Sequence, residues 1–122
     1  MASQSFRNRA WRLKRFPNGL PVLEDFEMYE TTTPPLQTGQ VLLKTNHISV
    51  DPYMRTRMKP GPGYLMPGFE INAKPINGFV VSTVEQSGEG TELAVGDHVH
   101  GFLPWQEYNV ADATVGRYER VP

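Results

Sequence analysis

The chain contains no cysteine in its 122 residues, which excludes disulfides, thiolate nucleophiles and every zinc site built on cysteine sulfur. Charge of either sign is nearly balanced: 12 basic and 13 acidic side chains leave −1 with the histidines neutral. There is therefore no global field to recruit nucleic acid or an anionic membrane. No run is long enough to span a bilayer, and the first residues lack the apolar core of a secretory signal. No G-x-G-x-x-G or G-x-x-x-x-G-K-[ST] motif occurs, so nothing in the chain reads as a dinucleotide or phosphate cradle. Together these absences set the expectation of a cytoplasmic protein that engages neither nucleic acid nor membrane.

What is present in excess is punctuation. Eleven glycines and eleven prolines favour many turns and short strands over long helices. A hydrophobic fraction of 39% suits one domain with one modest core, spanning residues 1–122. Arg7, Arg9, Arg12, Lys14 and Arg15 crowd the start with no acid before Glu24. Trp11 and Leu13 alternate with Arg12 and Lys14, which predicts an edge strand with a solvated basic face. Further strands are expected at 26–31, 41–50, 78–84, 99–103, 105–110 and 118–121, from β-branched and aromatic residues bounded by turns. Asp51-Pro52 reads as a helix start, with aspartate as cap and proline in the first position, followed by a short helix over 53–58. Residues 59–74 form a proline- and glycine-rich loop that carries Tyr64, Leu65, Met66, Phe69 and Ile71; such apolar loops pack against something or cover a pocket. The pattern predicts a mainly β fold, a small irregular barrel or sandwich with one short helix.

Few side chains could carry chemistry. His98 and His100 share one side of a strand, but without a third ligand they fall short of a metal site, and none is expected. Ser49 has His47 close by in sequence, yet no elbow motif and no third member accompany them. Tyr53, at the junction of strand and helix, leaves two readings. Its hydroxyl could donate a hydrogen bond to a substrate carbonyl, or its ring could simply pack, which is the commoner role.

Asn8-Arg9-Ala10-Trp11, Thr38-Gly39-Gln40-Val41-Leu42-Leu43-Lys44-Thr45 and Ser49-Val50-Asp51-Pro52-Tyr53-Met54-Arg55 follow one another in a familiar order. Gly96-Asp97-His98-Val99-His100-Gly101-Phe102 and Trp105-Gln106-Glu107-Tyr108 continue it. The chain resembles the NADPH-dependent alkenal/one and prostaglandin reductase branch of the medium-chain dehydrogenase/reductase superfamily. The resemblance runs from about Arg7 to Val121, and its specific parts are the Asp-Pro-Tyr-Met-Arg run and the Gly-Phe-x-x-Trp-Gln-Glu-Tyr run. It implies a GroES-like N-terminal catalytic domain, an irregular partial β-barrel, whose NADPH-binding Rossmann domain is absent from these residues. Zinc-dependent relatives carry a ligand cysteine after the strand that ends here at Val50 and a histidine before Gly78; this chain has neither, and so resembles the zinc-independent branch.

The implied reaction is reduction of the C=C bond of an α,β-unsaturated aldehyde or ketone by NADPH. Tyr53 matches the family's active-site tyrosine and becomes the expected partner of the substrate carbonyl. Asp51, Pro52 and Met54 are expected beside the nicotinamide. Tyr64 and Met66 are expected substrate contacts, and Trp105 either a pocket wall or a core residue. The loop over 59–74 departs from the family pattern, so the resemblance assigns no particular substrate. A catalytic half without its Rossmann partner is expected to be inactive alone and to expose sheet edge and apolar surface, favouring self-association. Two other readings stand beside it: a small β-barrel serving binding or assembly, and a truncated product without catalysis.

Overall fold

Alternating β-branched and aromatic residues set the strands, and glycine or proline sets most of the turns between them. The computed structural model describes residues 5–61, 66–113 and 119–120. Its elements in chain order are β1 (Arg7–Leu13), a 3-10 turn (Leu23–Asp25), β2 (Phe26–Thr32), β3 (Gln40–Ile48), α1 (Tyr53–Thr56), β4 (Asn77–Ser87), β5 (His98–Pro104), β6 (Tyr108–Asp112) and β7 (Glu119–Arg120). β1 and β2 form an antiparallel ribbon, and the other strands form one antiparallel sheet in the order β6-β3-β4-β5-β7. The two are stitched by backbone bonds: the Trp11 amide donates to the Trp105 carbonyl at 3.0 Å, Glu107 to Arg9 at 3.0 Å, and Ile76 to Trp11 at 3.0 Å. The result is the expected irregular, curled half-barrel.

β1 is therefore not an edge strand, contrary to expectation, because the segments around Ile76 and Trp105 complete its second side. Its basic face is solvated only in part. Arg7 meets Glu30 at 3.1 Å, Arg9 meets Glu107 at 3.0 Å, Arg12 meets Glu27 at 3.5 Å and Arg15 meets Asp25 at 2.8 Å. On the free side of β6, the Asn8 side chain takes the place of a neighbouring strand. Its Oδ1 accepts from the Tyr108 amide and its Nδ2 donates to the Tyr108 carbonyl, both at 2.9 Å.

Two bulges curl the sheet. β4 carries one extra residue, Glu85, opposite the Leu42–Leu43 step, and β3 carries Asn46 opposite the Ser82–Val81 step. Such insertions increase local twist; along β3, Val41 and Leu43 enter one core cluster while Leu42 is buried outside it. One core cluster lies on the inner face of β3, β4 and β5 around Val41, Leu43, Val80, Val84, Val99 and Leu103. A second gathers Leu13, Met54, Met58, Phe69 and Ile76 beneath α1. Trp105 packs against both.

The buried Asp25 organises the chain between β1 and β2. Its carboxylate accepts from Arg15 Nε at 2.8 Å and from the Val22 amide at 2.9 Å, and its carbonyl accepts from the Lys14 amide at 2.8 Å. The bond from Arg15, then that from Val22, holds the Asp25 carboxyl below its ordinary 3.8. Bonds from Arg9 likewise hold Glu107 below 4.5. Both groups titrate lower in the folded than in the unfolded chain. Their stabilisation is thus complete above the ordinary carboxylate range and is lost as pH falls through the depressed folded values. The urea midpoint is expected to stay level from about pH 7 to 5 and to fall below about pH 4. Asp25→Asn should lower it at neutral pH and weaken its acid dependence; equal acid dependence in both proteins would show that Asp25 plays no part.

Candidate active-site cleft

At the end of β3 the chain turns through Ser49 and Val50 into α1. The Ser49 amide is held by the Phe79 carbonyl at 2.9 Å, while Val50 points outward with 79% of its surface exposed. The helix begins at Tyr53 as expected, but its cap position falls one residue later than expected. Pro52, at φ −56° and ψ −37°, occupies the cap position, and no side chain caps the helix. Asp51 is displaced from that role because its Oδ1 accepts instead from the Ser49 hydroxyl at 2.8 Å. Its carbonyl still accepts from the Met54 amide at 3.0 Å. The α-helical turn stops at Thr56, short of the expected Met58.

Asp51, Pro52 and Met54 come together on one apolar groove of about 290 Å³, closed by Phe26, Met58 and Trp105. Two further grooves continue it under β1, one of about 180 Å³ past Trp11 and Ile76 and one of about 280 Å³ toward Arg9 and Glu107. Trp105 lines all three, so it is both pocket wall and core residue. It lies in the turn after β5 rather than on the strand expected at 105–110, since β6 starts only at Tyr108. Gly78 lets this wall close. A Cβ there would sit 3.4 Å from Trp105 Nε1 and 3.6 Å from Met54 Cε.

Tyr53 is half-buried and packs its ring against the cluster beneath α1, without lining these three grooves. Its hydroxyl and Asp51 Oδ2 are both buried and without a hydrogen-bond partner. Burial, and then the Asp51 carboxylate, push the Tyr53 hydroxyl above 10.0, with Arg57 acting in the opposite direction. It is thus a protonated donor at neutral pH, and a buried donor is stable only when it finds an acceptor. Met66 is half-buried and stands apart from the three grooves. Tyr64 lies outside the described residues. His98 uses Nδ1 on the Thr83 hydroxyl at 3.1 Å, and among the described residues no three acidic or histidine side chains gather as a metal site would need.

Several residues of the cleft left no mark in the sequence. Phe26 and Pro21 reach it through the β1–β2 connection that Asp25 folds back. Arg55 ties that same connection to α1, donating to the Gly19 carbonyl at 3.0 Å.

A family described as the N-terminal domain of oxidoreductase matches residues 9–117. The chain is 39% identical over 111 residues to the NADPH-dependent curcumin reductase of Escherichia coli (strain K12), covering 91% of this chain and 31% of that protein. It is 31% identical to a 2-alkenal reductase (NADP(+)-dependent) of Nicotiana tabacum over 92% of this chain and 33% of that one. Among solved structures, CurA from Vibrio vulnificus in complex with NADPH superimposes with a TM-score of 0.79 at 32% identity, over 92% of this chain and 32% of that one. The chain thus spans about a third of the length of the relatives it matches. With its groove lined by Asp51, Pro52 and Met54 and that match over most of its length, the chain belongs to the family of oxidoreductase N-terminal domains, within the medium-chain reductases.

Proposed function

We propose that this chain forms the substrate-side wall of an NADPH-dependent reductase that saturates the C=C bond of α,β-unsaturated aldehydes or ketones. The observation that carries it is the apolar groove of Pro52, Met54 and Trp105 beside a buried, unpartnered tyrosine hydroxyl, in a chain similar to reductases of that kind. The groove fits a flat heteroaromatic ring at its Asp51, Pro52 and Met54 end. It does not fit the whole cofactor: α1 has four residues, and no longer helix among the described residues offers its N-terminus to a pyrophosphate. Asp51, Pro52 and Met54 would hold the nicotinamide end, and the rest of the dinucleotide falls to a binding unit outside these residues.

A nicotinamide held there would supply hydride chemistry toward the β-carbon of the substrate. Tyr53 donates its hydroxyl hydrogen bond to the carbonyl oxygen, where negative charge collects as the enolate forms. Its raised pKa keeps the proton on Tyr53, so the α-carbon receives its proton from solvent. Trp105, Phe26 and Met58 exclude water from the opposite side. The absence of cysteine and of a histidine over 74–77 supports zinc-independent chemistry, and no helix of the described residues is long and apolar enough to cross a membrane. Cytoplasmic location is part of the same reading. Leu20, Leu23 and Val50, exposed by 87%, 71% and 79%, offer apolar area for a second domain or a second copy of the chain.

The test replaces the corresponding N-terminal third of the Escherichia coli reductase with this chain. The hybrid is expected to oxidise NADPH with an α,β-unsaturated ketone and not with its saturated counterpart. A folded hybrid that binds NADPH but turns over no enone would refute the proposal.

A further inference from the structure

Arg57 is a buried cation, with only 4% of its surface exposed, and among the described residues no carboxylate pairs with it. Its partners are carbonyls and rings. Nε donates to the Pro67 carbonyl at 2.8 Å and Nη1 to the Asn77 carbonyl at 3.3 Å. The guanidinium lies 4.0 Å over the Phe69 ring and 5.6 Å from the Phe102 ring. The Arg57 carbonyl in turn accepts from the Phe69 amide at 2.7 Å. Burial pulls the guanidinium below its ordinary range, yet such a group stays charged in proteins. Leucine could fill the space between those rings without desolvating a charge. What arginine adds is a directional hold on two carbonyls.

The segment it holds is tightly folded. A Cβ on Gly68 would lie 2.6 Å from the Gly61 carbonyl oxygen and 3.4 Å from that of Lys59, so the two limbs of the loop after α1 touch through backbone. One limb is thereby tied to α1 and, through Asn77, to the start of β4. Tyr53 stands four residues before Arg57, on the same side of the helical turn.

We propose that Arg57 is a positioning residue that locks the Pro67–Phe69 limb onto α1 and β4, and so holds α1, with Tyr53 on it, in fixed relation to that limb and the start of β4. The lock itself is a property of the chain; its effect on substrate binding rests on the reductase reading above.

Hydrogen exchange on the full chain tests the lock. In Arg57→Leu the Phe69 amide is expected to exchange about tenfold faster or more, while the Val80 and Val99 amides in the sheet keep their rates. Arg57→Lys, which keeps the charge but not the planar fork, should be intermediate. Phe69→Leu, which removes one ring but spares both carbonyl bonds, should leave the Asn77 side of the lock in place and guards against an Arg57→Leu protein that does not fold. An unchanged Phe69 amide in Arg57→Lys, or a uniform rise across sheet and loop, would overturn the proposal. In the hybrid reductase, Arg57→Lys is expected to raise KM for the enone about tenfold with kcat within about threefold. Equal KM in the two proteins would sink the positioning role. A hybrid that reduces no enone even with Arg57 intact would sink the reductase reading and leave the exchange result standing.

Discussion

Tyr53→Phe is expected to lower kcat of the hybrid reductase about 100- to 1000-fold, the cost of removing one donor from a developing oxyanion, or about 2.7–4 kcal/mol. The substitution keeps the ring that packs beneath α1 and deletes only the oxygen. That oxygen is buried beside the Asp51 carboxylate without a well-formed hydrogen bond, so its removal should change folding stability little. Because burial and Asp51 hold the hydroxyl protonated above its ordinary range, no loss of activity from tyrosine ionisation is expected below about pH 10. Paired measurements of kcat and urea midpoint decide the matter. If kcat survives, Tyr53 serves packing, and the donor must be sought elsewhere in the cleft.

Trp105→Ala should cost about 3 kcal/mol of stability, the lower end for deleting a large aromatic, since the side chain is only partly buried. Three jobs meet in this one residue. It packs against both core clusters, and its backbone joins the ribbon to the sheet by accepting from Trp11 and donating to Ile76 at 2.7 Å. It also walls all three grooves. The backbone bonds survive truncation, so the loss reports the side chain alone. Urea denaturation followed by circular dichroism measures it. Trp105→Phe should recover roughly half the loss, because it restores packing but not the full volume. An alanine variant within about 0.5 kcal/mol of the parent would mean that the two clusters hold independently.

How much of this was legible beforehand depends on the kind of force involved. β3 and β4 announced themselves, because Val41, Leu43, Val80 and Val84 are β-branched or leucine at strand spacing. Their true ends did not. β4 runs on to Ser87 through Glu85 and Gln86, polar residues that are recruited only because Val41 and Leu42 pair with Ser87 and Gln86. β1 was read as an edge because its second partner is not a strand at all but the turns at Ile76 and Trp105, far away in sequence. Asp51 was read as a cap from residue type, but its carboxylate accepts from Ser49, two positions away, and no side chain caps the helix. The groove around Pro52 and Met54 could be anticipated from the family run. The burial of Arg57 could not, since charge at that position predicts solvent and only tertiary contacts supply the carbonyls and rings that hold it.

The side chain of Asn8 carries a last consequence. Its amide has the same donor and acceptor, on neighbouring atoms, as a peptide unit, and it spends both on Tyr108. At that point β6 behaves as though a further strand were already there, yet the impostor is one residue long and cannot be extended by another molecule. A β-rich domain is most exposed to runaway fibril growth where its sheet ends. Here the margin is blocked at Tyr108 by a plug that copies the chemistry of the backbone and ends with itself.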